Sequence, residues 1–354
     1  MRMQLPADVR QQNPSDAQSF LADAEPGRRI LDLGRSDQGG RMLRDVLEGL
    51  SAHPQKWVSP TYFYDAFGSQ LYERITGLAE YYPTRLEAEL LRRVAPDVAK
   101  TVGTAEIVEL GSGSSAKTRT LLEAAGVDRR VVTYIPIDVS RSIVEASTMA
   151  LREAYPLLKV LGVIGQYDEA LDVLPPAAER LFVFLGGTIG NFTPEVQAAF
   201  FARLAQAMPP GNHLLLGFDR RPHEGKPEVV IHRAYNDEAG VTAQFNLNLL
   251  ARLNRDLGAD FVLSNWCHRA VYNAQDDQIE MYLDSLTDQV VHFPAAARSI
   301  RFARGEALLT ELSRKFDPGE LADWFAERGF RCVSHWSDAS EYVGLLLLRR
   351  DAER

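Results

Sequence analysis

From Ala105 onward, short apolar runs alternate with amphipathic helical stretches, and no other feature of the 354-residue chain narrows its fold as much. Strands are predicted at Ile107–Leu110, Val132–Ile137, Val160–Ile164, Leu181–Leu185 and Leu214–Phe218, with helices between them at Ala116–Ala124, Arg141–Glu153 and Pro194–Ala207. Strand and helix in turn are the mark of βαβ units, so the expectation is an α/β fold built on a doubly wound, mostly parallel sheet. The third helix has a legible start. Thr193 stands at its N-cap and Pro194 at the first helical position, where a missing N–H costs nothing.

Beyond Phe218 the rhythm breaks. A polar, proline-containing segment leads to a helical stretch at Val241–Asp256, then to alternating segments at Cys267–Tyr272, Gln278–Leu286 and Ser299–Phe302 that read as antiparallel strands. A helix at Pro318–Arg328 and strands at Cys332–Trp336 and Tyr342–Leu348 close the chain and would finish the first sheet. Two lobes are therefore expected: residues 86–225 with 315–350 form the doubly wound sheet, and residues 29–85 with 226–314 form an inserted α+β lobe. Residues 1–28, rich in Gln, Asp, Ala and Pro without periodicity, are expected to be a loose tail.

Composition removes several classes of function. Hydrophobic content of 45% and charged content of 25% are ordinary for a globular chain. Acidic residues outnumber basic ones by 48 to 39, and the basic ones are scattered, which argues against nucleic acid or an anionic membrane as a partner. Cys267 and Cys332 stand far apart with no metal-type spacing, so neither a disulfide framework nor a metal site is expected, and a reducing cytoplasm fits. No signal-like start and no run of about 18 apolar residues is present. The expected partner is a small molecule bound by a monomer.

The chemistry concentrates where the first strand of the series ends. Ile107-Val-Glu-Leu-Gly-Ser-Gly-Ser-Ser115 runs from an apolar strand into Gly111-Ser-Gly113, just ahead of a helix carrying Lys117. Glycines let the backbone turn sharply and approach a ligand at the carboxyl ends of the strands, where open α/β sheets bind. The third glycine of the dinucleotide fingerprint is missing, which disfavours a nicotinamide cofactor. The next strand ends in Asp138, about 25 residues on, whose carboxylate can accept both hydroxyls of a ribose or merely cap the following helix. After the third strand come Gln166 and Tyr167, where an adenine edge would sit; Tyr167 can stack on the base or simply pack. Together they point to an adenosyl ligand. An earlier string, Ile30-Leu-Asp-Leu-Gly34, imitates this strand and loop without the second glycine, and reads as structural.

Longer strings narrow the reading. They are Tyr62-Phe-Tyr-Asp65 with Gly68-Ser69, Glu80-Tyr-Tyr-Pro-Thr-Arg85, Glu109-Leu-Gly-Ser-Gly113, Phe184-Leu-Gly-Gly-Thr-Ile-Gly-Asn191, Ala234-Tyr-Asn-Asp-Glu-Ala-Gly-Val-Thr242, Ile279-Glu-Met281 and Thr310-Glu-Leu-Ser-Arg-Lys-Phe316. Over residues 60–348 the chain resembles the histidine N-α-methyltransferases of ergothioneine biosynthesis, which convert L-histidine to its trimethylated betaine, hercynine. The resemblance implies a class I methyltransferase sheet, S-adenosylmethionine as cofactor and L-histidine as acceptor. It implies that Gly111 and Lys117 hold the methionine end of the cofactor, that Asp138 holds the ribose, and that Gln166 and Tyr167 flank the adenine. It further implies that Tyr81, Asn191 and Tyr235 fix the carboxylate and amino end of the amino acid, while Met281, Glu311 and Ser313 form an imidazole pocket. Gln166 stands where the family usually has an acidic residue, and Gly187 where it has serine; the first departure implies altered affinity for the same cofactor.

The residues can be weighed without the family. Aromatic strings such as Tyr62-Phe-Tyr64 and Tyr81-Tyr82 usually serve packing. Aromatic faces also attract a nitrogen that becomes quaternary, and Tyr64 and Phe245 are the candidates beside Tyr81. Asn191 either makes a turn or donates its amide to a carboxylate near a helix N-terminus. Glu311 and Ser313 alternate along an extended segment and share a face, which is either solvated or a donor–acceptor pair for an imidazole. None of the seven histidines has catalytic spacing, and the candidate relay for the amine proton is Tyr64 or a bound water. A tryptophan derivative as acceptor, or a non-catalytic protein on the same fold, are the competing readings.

Overall fold

The structure, a computed structural model, describes residues 19–23, 25–34, 38–103, 105–175, 177 and 179–352. Strand β1 (Gly27–Asp32) leads through helix α1 (Gln38–Leu50) and the two-residue strand β2 (Lys56–Trp57) to helices α2 (Ala66–Thr76) and α3 (Tyr82–Val102). The alternating core follows as β3 (Glu106–Leu110), α4 (Thr118–Ala124), β4 (Val132–Asp138), α5 (Arg141–Ala154) and β5 (Leu158–Ile164). It continues with α6 (Tyr167–Val173), β6 (Leu181–Phe184), α7 (Pro194–Ala207) and β7 (His213–Asp219). Helices α8 (Glu228–Tyr235) and α9 (Val241–Leu257) precede strands β8 (Trp266–Asn273), β9 (Gln278–Ser285), β10 (Gln289–Phe293), β11 (Arg298–Phe302) and β12 (Ala307–Arg314). Helix α10 (Pro318–Ala326) and strands β13 (Phe330–Ser337) and β14 (Val343–Arg350) finish the chain.

Eight strands form the main sheet in the order β1-β5-β4-β3-β6-β7-β14-β13. The strands from β1 to β7 are parallel, and β14 and β13 add antiparallel. Every residue of β5, β6 and β7 is buried, as a parallel sheet covered on both faces requires. The chain steps outward from β3 through β4 to β5, then returns to the other side of β3 for β6 and β7. That reversal opens a crevice at the carboxyl ends of the strands, where β3 releases the glycine loop. Thr193 caps α7 as expected, accepting from the backbone N–H of Val196 at 3.4 Å.

A second, four-stranded sheet runs β2-β12-β9-β8, and β10 and β11 form a separate hairpin. It meets the main sheet where the loop after β6 rides against β12. Asn191 donates its amide to the Leu312 carbonyl at 3.1 Å, and a Cβ on Gly190 would lie 2.8 Å from the Arg314 carbonyl. Only glycine lets the two lobes approach so closely.

One boundary needs correction. Ile30-Leu-Asp-Leu-Gly34 is structural, but its first three residues belong to β1, which pairs parallel with β5 at the edge of the main sheet, outside the second lobe to which residues 29 onward were assigned. Residues 27 and 28 are likewise strand and not tail, while residues 1–18 lie outside the described residues. Packing explains the attachment: Gly162 in β5 has no side chain, and a Cβ there would sit 2.7 Å from the Ile30 Cδ1 that fills the space. Among the described residues no helix is long and apolar enough to cross a membrane.

The turn that carries Tyr64 is held from both sides. Asp65 caps α2, accepting from the Gly68 N–H at 2.6 Å, and also bonds Asn248 at 3.0 Å and Arg255 at 2.8 Å on α9. A Cβ on Gly68 would come within 1.8 Å of the Phe63 carbonyl oxygen. Gly68→Ala is expected to destabilise the protein by about 1–3 kcal/mol, the usual cost of overpacking. Chemical denaturation checks this, and an unchanged midpoint would mean the turn relaxes freely.

Candidate active site

Both lobes face one cavity of about 1470 Å³ at the carboxyl ends of the main sheet. Its lining includes every site residue expected from sequence: Tyr64, Tyr81, Gly111, Lys117, Asp138, Gln166, Tyr167, Asn191, Tyr235, Phe245, Met281, Glu311 and Ser313.

The main sheet supplies one half. Gly111 and Gly113 take φ of +73° and +49°, a left-handed region that favours glycine. No atom lies within 4 Å of a Cβ placed on Gly113, whereas one on Gly111 would meet the Tyr167 hydroxyl at 2.7 Å. Asp138, at the end of β4, does both things its position allows. One oxygen accepts from Ser140 N–H at 2.9 Å at the start of α5, the other from Gly113 N–H at 3.0 Å, and the carboxylate borders the cavity. Burial raises its pKa, against the pull of those N–H groups. Gln166 and Tyr167 open α6, and Tyr167 packs edge-on to Phe184 and Phe200 while still lining the cavity. Gly187 has φ +65° with open space at its Cβ, so glycine relieves backbone strain there.

Lys117 is anchored by a residue the sequence reading missed. Its ammonium pairs with buried Glu87 of α3, which also accepts from the Gly186 N–H at 2.8 Å. Burial opposes the charge on Lys117, and Glu87 outweighs it, raising the pKa. Glu109, in the middle of β3, was also missed. It lines the cavity, bonds the Tyr134 hydroxyl, and burial pushes its carboxyl up to about 7. The signal was legible: a carboxylate inside an apolar strand is rarely there without a partner or a task.

The second lobe supplies the other half through a bulge. On β9, Ile279, Met281 and Leu283 point inward and are buried. Strand β12 pairs with β9 in one register up to Leu309, then shifts by one residue so that Glu311 faces Met281 and Ser313 faces Ile279. The extra residue is Thr310, whose hydroxyl bonds the Met281 carbonyl at 3.1 Å. Side chains alternate along a strand, so if Thr310 paired regularly with Met281, Glu311 and Ser313 would point to the face opposite Met281, which lines the cavity. With it, both side chains border the cavity. Burial pushes the Glu311 carboxyl up to about 7, against Asn191 and the charge of Lys315.

Aromatic rings close the remaining side. Tyr64 lies edge-on to Tyr72 at 5.6 Å and to Phe245 at 5.9 Å, and Tyr81 edge-on to Tyr235 at 6.1 Å. Tyr72 escaped the sequence reading because, next to buried Leu71 on α2, it looks like one more packing residue. Burial, then Tyr72 and Glu311, raise the Tyr64 hydroxyl well above its usual value, so it stays protonated at neutral pH.

Comparison with known proteins adds a family and relatives. Residues 42–350 match the family described as histidine-specific methyltransferase, SAM-dependent. The chain is similar to the histidine N-α-methyltransferase of Mycolicibacterium smegmatis, 43% identical over 87% of this chain and 95% of that protein. It is 32% identical to ergothioneine biosynthesis protein 1 of Neurospora crassa, over 81% of this chain and 32% of that protein. It is 29% identical to the L-tryptophan methyltransferase of Psilocybe serbica, over 92% of this chain and 98% of that protein.

Two expectations follow from the geometry. Deleting Thr310, the extra residue, should leave a regular ladder with Glu311 still opposite Met281, so ligand binding in the second lobe and nucleoside binding at the glycine loop should both survive; calorimetry with each ligand checks this, and loss of the first alone would mean that the bulge itself shapes the pocket. A carboxyl whose folded pKa is raised stabilises the fold below its unfolded value, and that stability is lost as pH rises from about 4.5 to about 7. Glu311→Gln does not titrate, so its melting temperature should fall about 1–3 °C less than the parent's between pH 5 and 8. Glu109 titrates in both proteins, and parallel curves would mean Glu311 is solvated.

Proposed function

Because this chain belongs to the histidine-specific, S-adenosylmethionine-dependent methyltransferases, we propose that it methylates the α-amino nitrogen of L-histidine three times to give hercynine, a step of ergothioneine biosynthesis. The observation that supports this most is the inward pair Glu311 and Ser313, set beside Met281 in the same cavity as the Gly111 loop. A carboxylate and a hydroxyl can accept from one imidazole nitrogen and donate to the other. An indole offers one N–H and no acceptor, and would leave one of them unpaired at a cost of about 1–3 kcal/mol.

The residues of the first half fit the cofactor. Two left-handed glycines, open space over Gly113 and a buried carboxylate 25 residues on suit a nucleoside, and the Lys117 ammonium suits a carboxylate at the methionine end. In this reading Asp138 holds the ribose, while Gln166 offers an amide to the adenine edge and Tyr167 its ring. S-adenosylmethionine, when bound, supplies a methyl group already activated by its sulfonium.

The chain's own task is then placement and proton removal. Tyr81, Asn191 and Tyr235 fix the carboxylate and amino end of histidine, so that the amine approaches to about 3 Å in line with the methyl group. Tyr64, Tyr72 and Phe245 present aromatic faces that attract the increasingly methylated ammonium by roughly 0.5–2 kcal/mol each, keeping intermediates in place for the next transfer. Before each further transfer the amine must shed a proton. Tyr64, held protonated by burial, can pass one only by accepting as it gives, so it acts as a relay toward solvent. We place the enzyme in the cytoplasm as a monomer, consistent with its two free cysteines.

Incubated with S-adenosylmethionine and histidine, the protein should yield mono-, di- and trimethylated histidine by mass spectrometry. Methyl gain on tryptophan with none on histidine would overturn the acceptor and leave the cofactor in place.

A further inference from the structure

Behind the wall of the second lobe lies a fully buried ammonium that does not itself line the cavity. Lys315, the residue after β12, donates to Asp219 at 2.9 Å, to Ser313 Oγ at 2.8 Å and to the Tyr235 hydroxyl at 3.2 Å. Those three bonds use its three hydrogens. The two hydroxyls are themselves 2.7 Å apart.

Hydrogen counting then fixes a direction. An ammonium has no lone pair, so Ser313 and Tyr235 must each accept from Lys315. Between them they carry two hydrogens. One spans the contact between the two oxygens, and the other finds no acceptor within the cluster. Both residues border the cavity, so that hydrogen turns toward the ligand. With Tyr235 as the donor to Ser313, the free hydrogen is Ser313's, on the imidazole side of the cavity.

We infer that Lys315 is a positioning residue that locks the Ser313–Tyr235 pair into the role of hydrogen-bond donor toward the substrate. Glu311, on the same face of β12, is the acceptor. One donor and one acceptor match a neutral imidazole in a single tautomer. An imidazolium has two N–H groups and a carbocyclic or thiophene ring has none, so each leaves a pocket group unpaired. Asp219 keeps Lys315 charged despite its burial, so this polarity is built into the fold.

The inference deepens the proposed function and rests on its placement of the histidine ring against Glu311 and Ser313. Its test compares binding of L-histidine and of β-(2-thienyl)alanine, whose ring is close in size but has no nitrogen, with S-adenosylhomocysteine present. In Lys315→Met, histidine should bind roughly tenfold more weakly, the loss of about one buried hydrogen bond, while thienylalanine and the nucleoside change by less than about twofold. Lys315→Gln, which keeps N–H donors, should fall between, and it carries the comparison if Lys315→Met loses the nucleoside as well. Equal weakening of both amino acids, or unchanged histidine binding, overturns the role of Lys315. Equal affinity of the parent protein for the two amino acids would instead overturn the imidazole reading of the pocket.

Discussion

The architecture of the site depends on one buried carboxylate. Asp219 ends β7 and accepts from Lys226 at 2.5 Å, from Lys315 at 2.9 Å and from the Tyr82 hydroxyl at 2.8 Å. These partners come from the segment after β7, the end of β12 and the first turn of α3, so one side chain fastens three parts of the chain. Removing one partner from such a buried ionic cluster costs several kcal/mol, because the remaining charge is left uncompensated. The backbone reinforces the junction: Phe316 N–H donates to the Asp219 carbonyl at 2.9 Å. Lys226 spends its other hydrogens on the carbonyls of Arg220 and Tyr342. Tyr81, adjacent to Tyr82, is thereby set at the cavity edge.

From that anchor the two lobes reach each other by different devices. The main sheet offers a cavity through its topology alone, since any doubly wound sheet opens a crevice where the strand order reverses. The second lobe has no such guarantee, and a strand facing a cavity by one parity would face solvent by the other. The bulge at Thr310 sets that parity locally, after Leu308 has already been committed to the buried face. Close approach at Gly190 then brings the re-aimed strand against the loop that carries Asn191.

Legibility in the sequence follows the same division. The main-sheet strands and helices could be read nearly residue by residue, because apolar runs and helix caps are local signals; Pro194–Ala207 was placed with the same bounds that the structure has. The glycine loop and Asp138 were legible for the same reason. What stayed hidden depends on partners distant in the chain. Lys315 looks like a surface lysine until Asp219, almost a hundred residues earlier, is placed beside it. Glu87 meets Lys117 only through the packing of α3, and β1 joins the sheet only because β5 has a glycine opposite Ile30. The facing of Glu311 was undecidable from alternation, since a bulge leaves no composition mark and reverses the inference drawn from it.

These hidden features share an energetic character. Glu109 and Glu311 are both pushed up to about 7 by burial, so the cavity holds carboxyl groups in surroundings that disfavour their charge. Lys315 is fully buried and Lys117 borders the cavity, yet each is matched to a carboxylate within the fold. The protein has therefore fixed its cations through internal pairs and left acceptors exposed to the cavity. A ligand that brings an N–H or a positive charge relieves that imbalance, whereas an anion entering between Glu109 and Glu311 aggravates it. Such a distribution favours an amine that turns from neutral to cationic each time it accepts a methyl, and it costs stability in a place where only function can justify it.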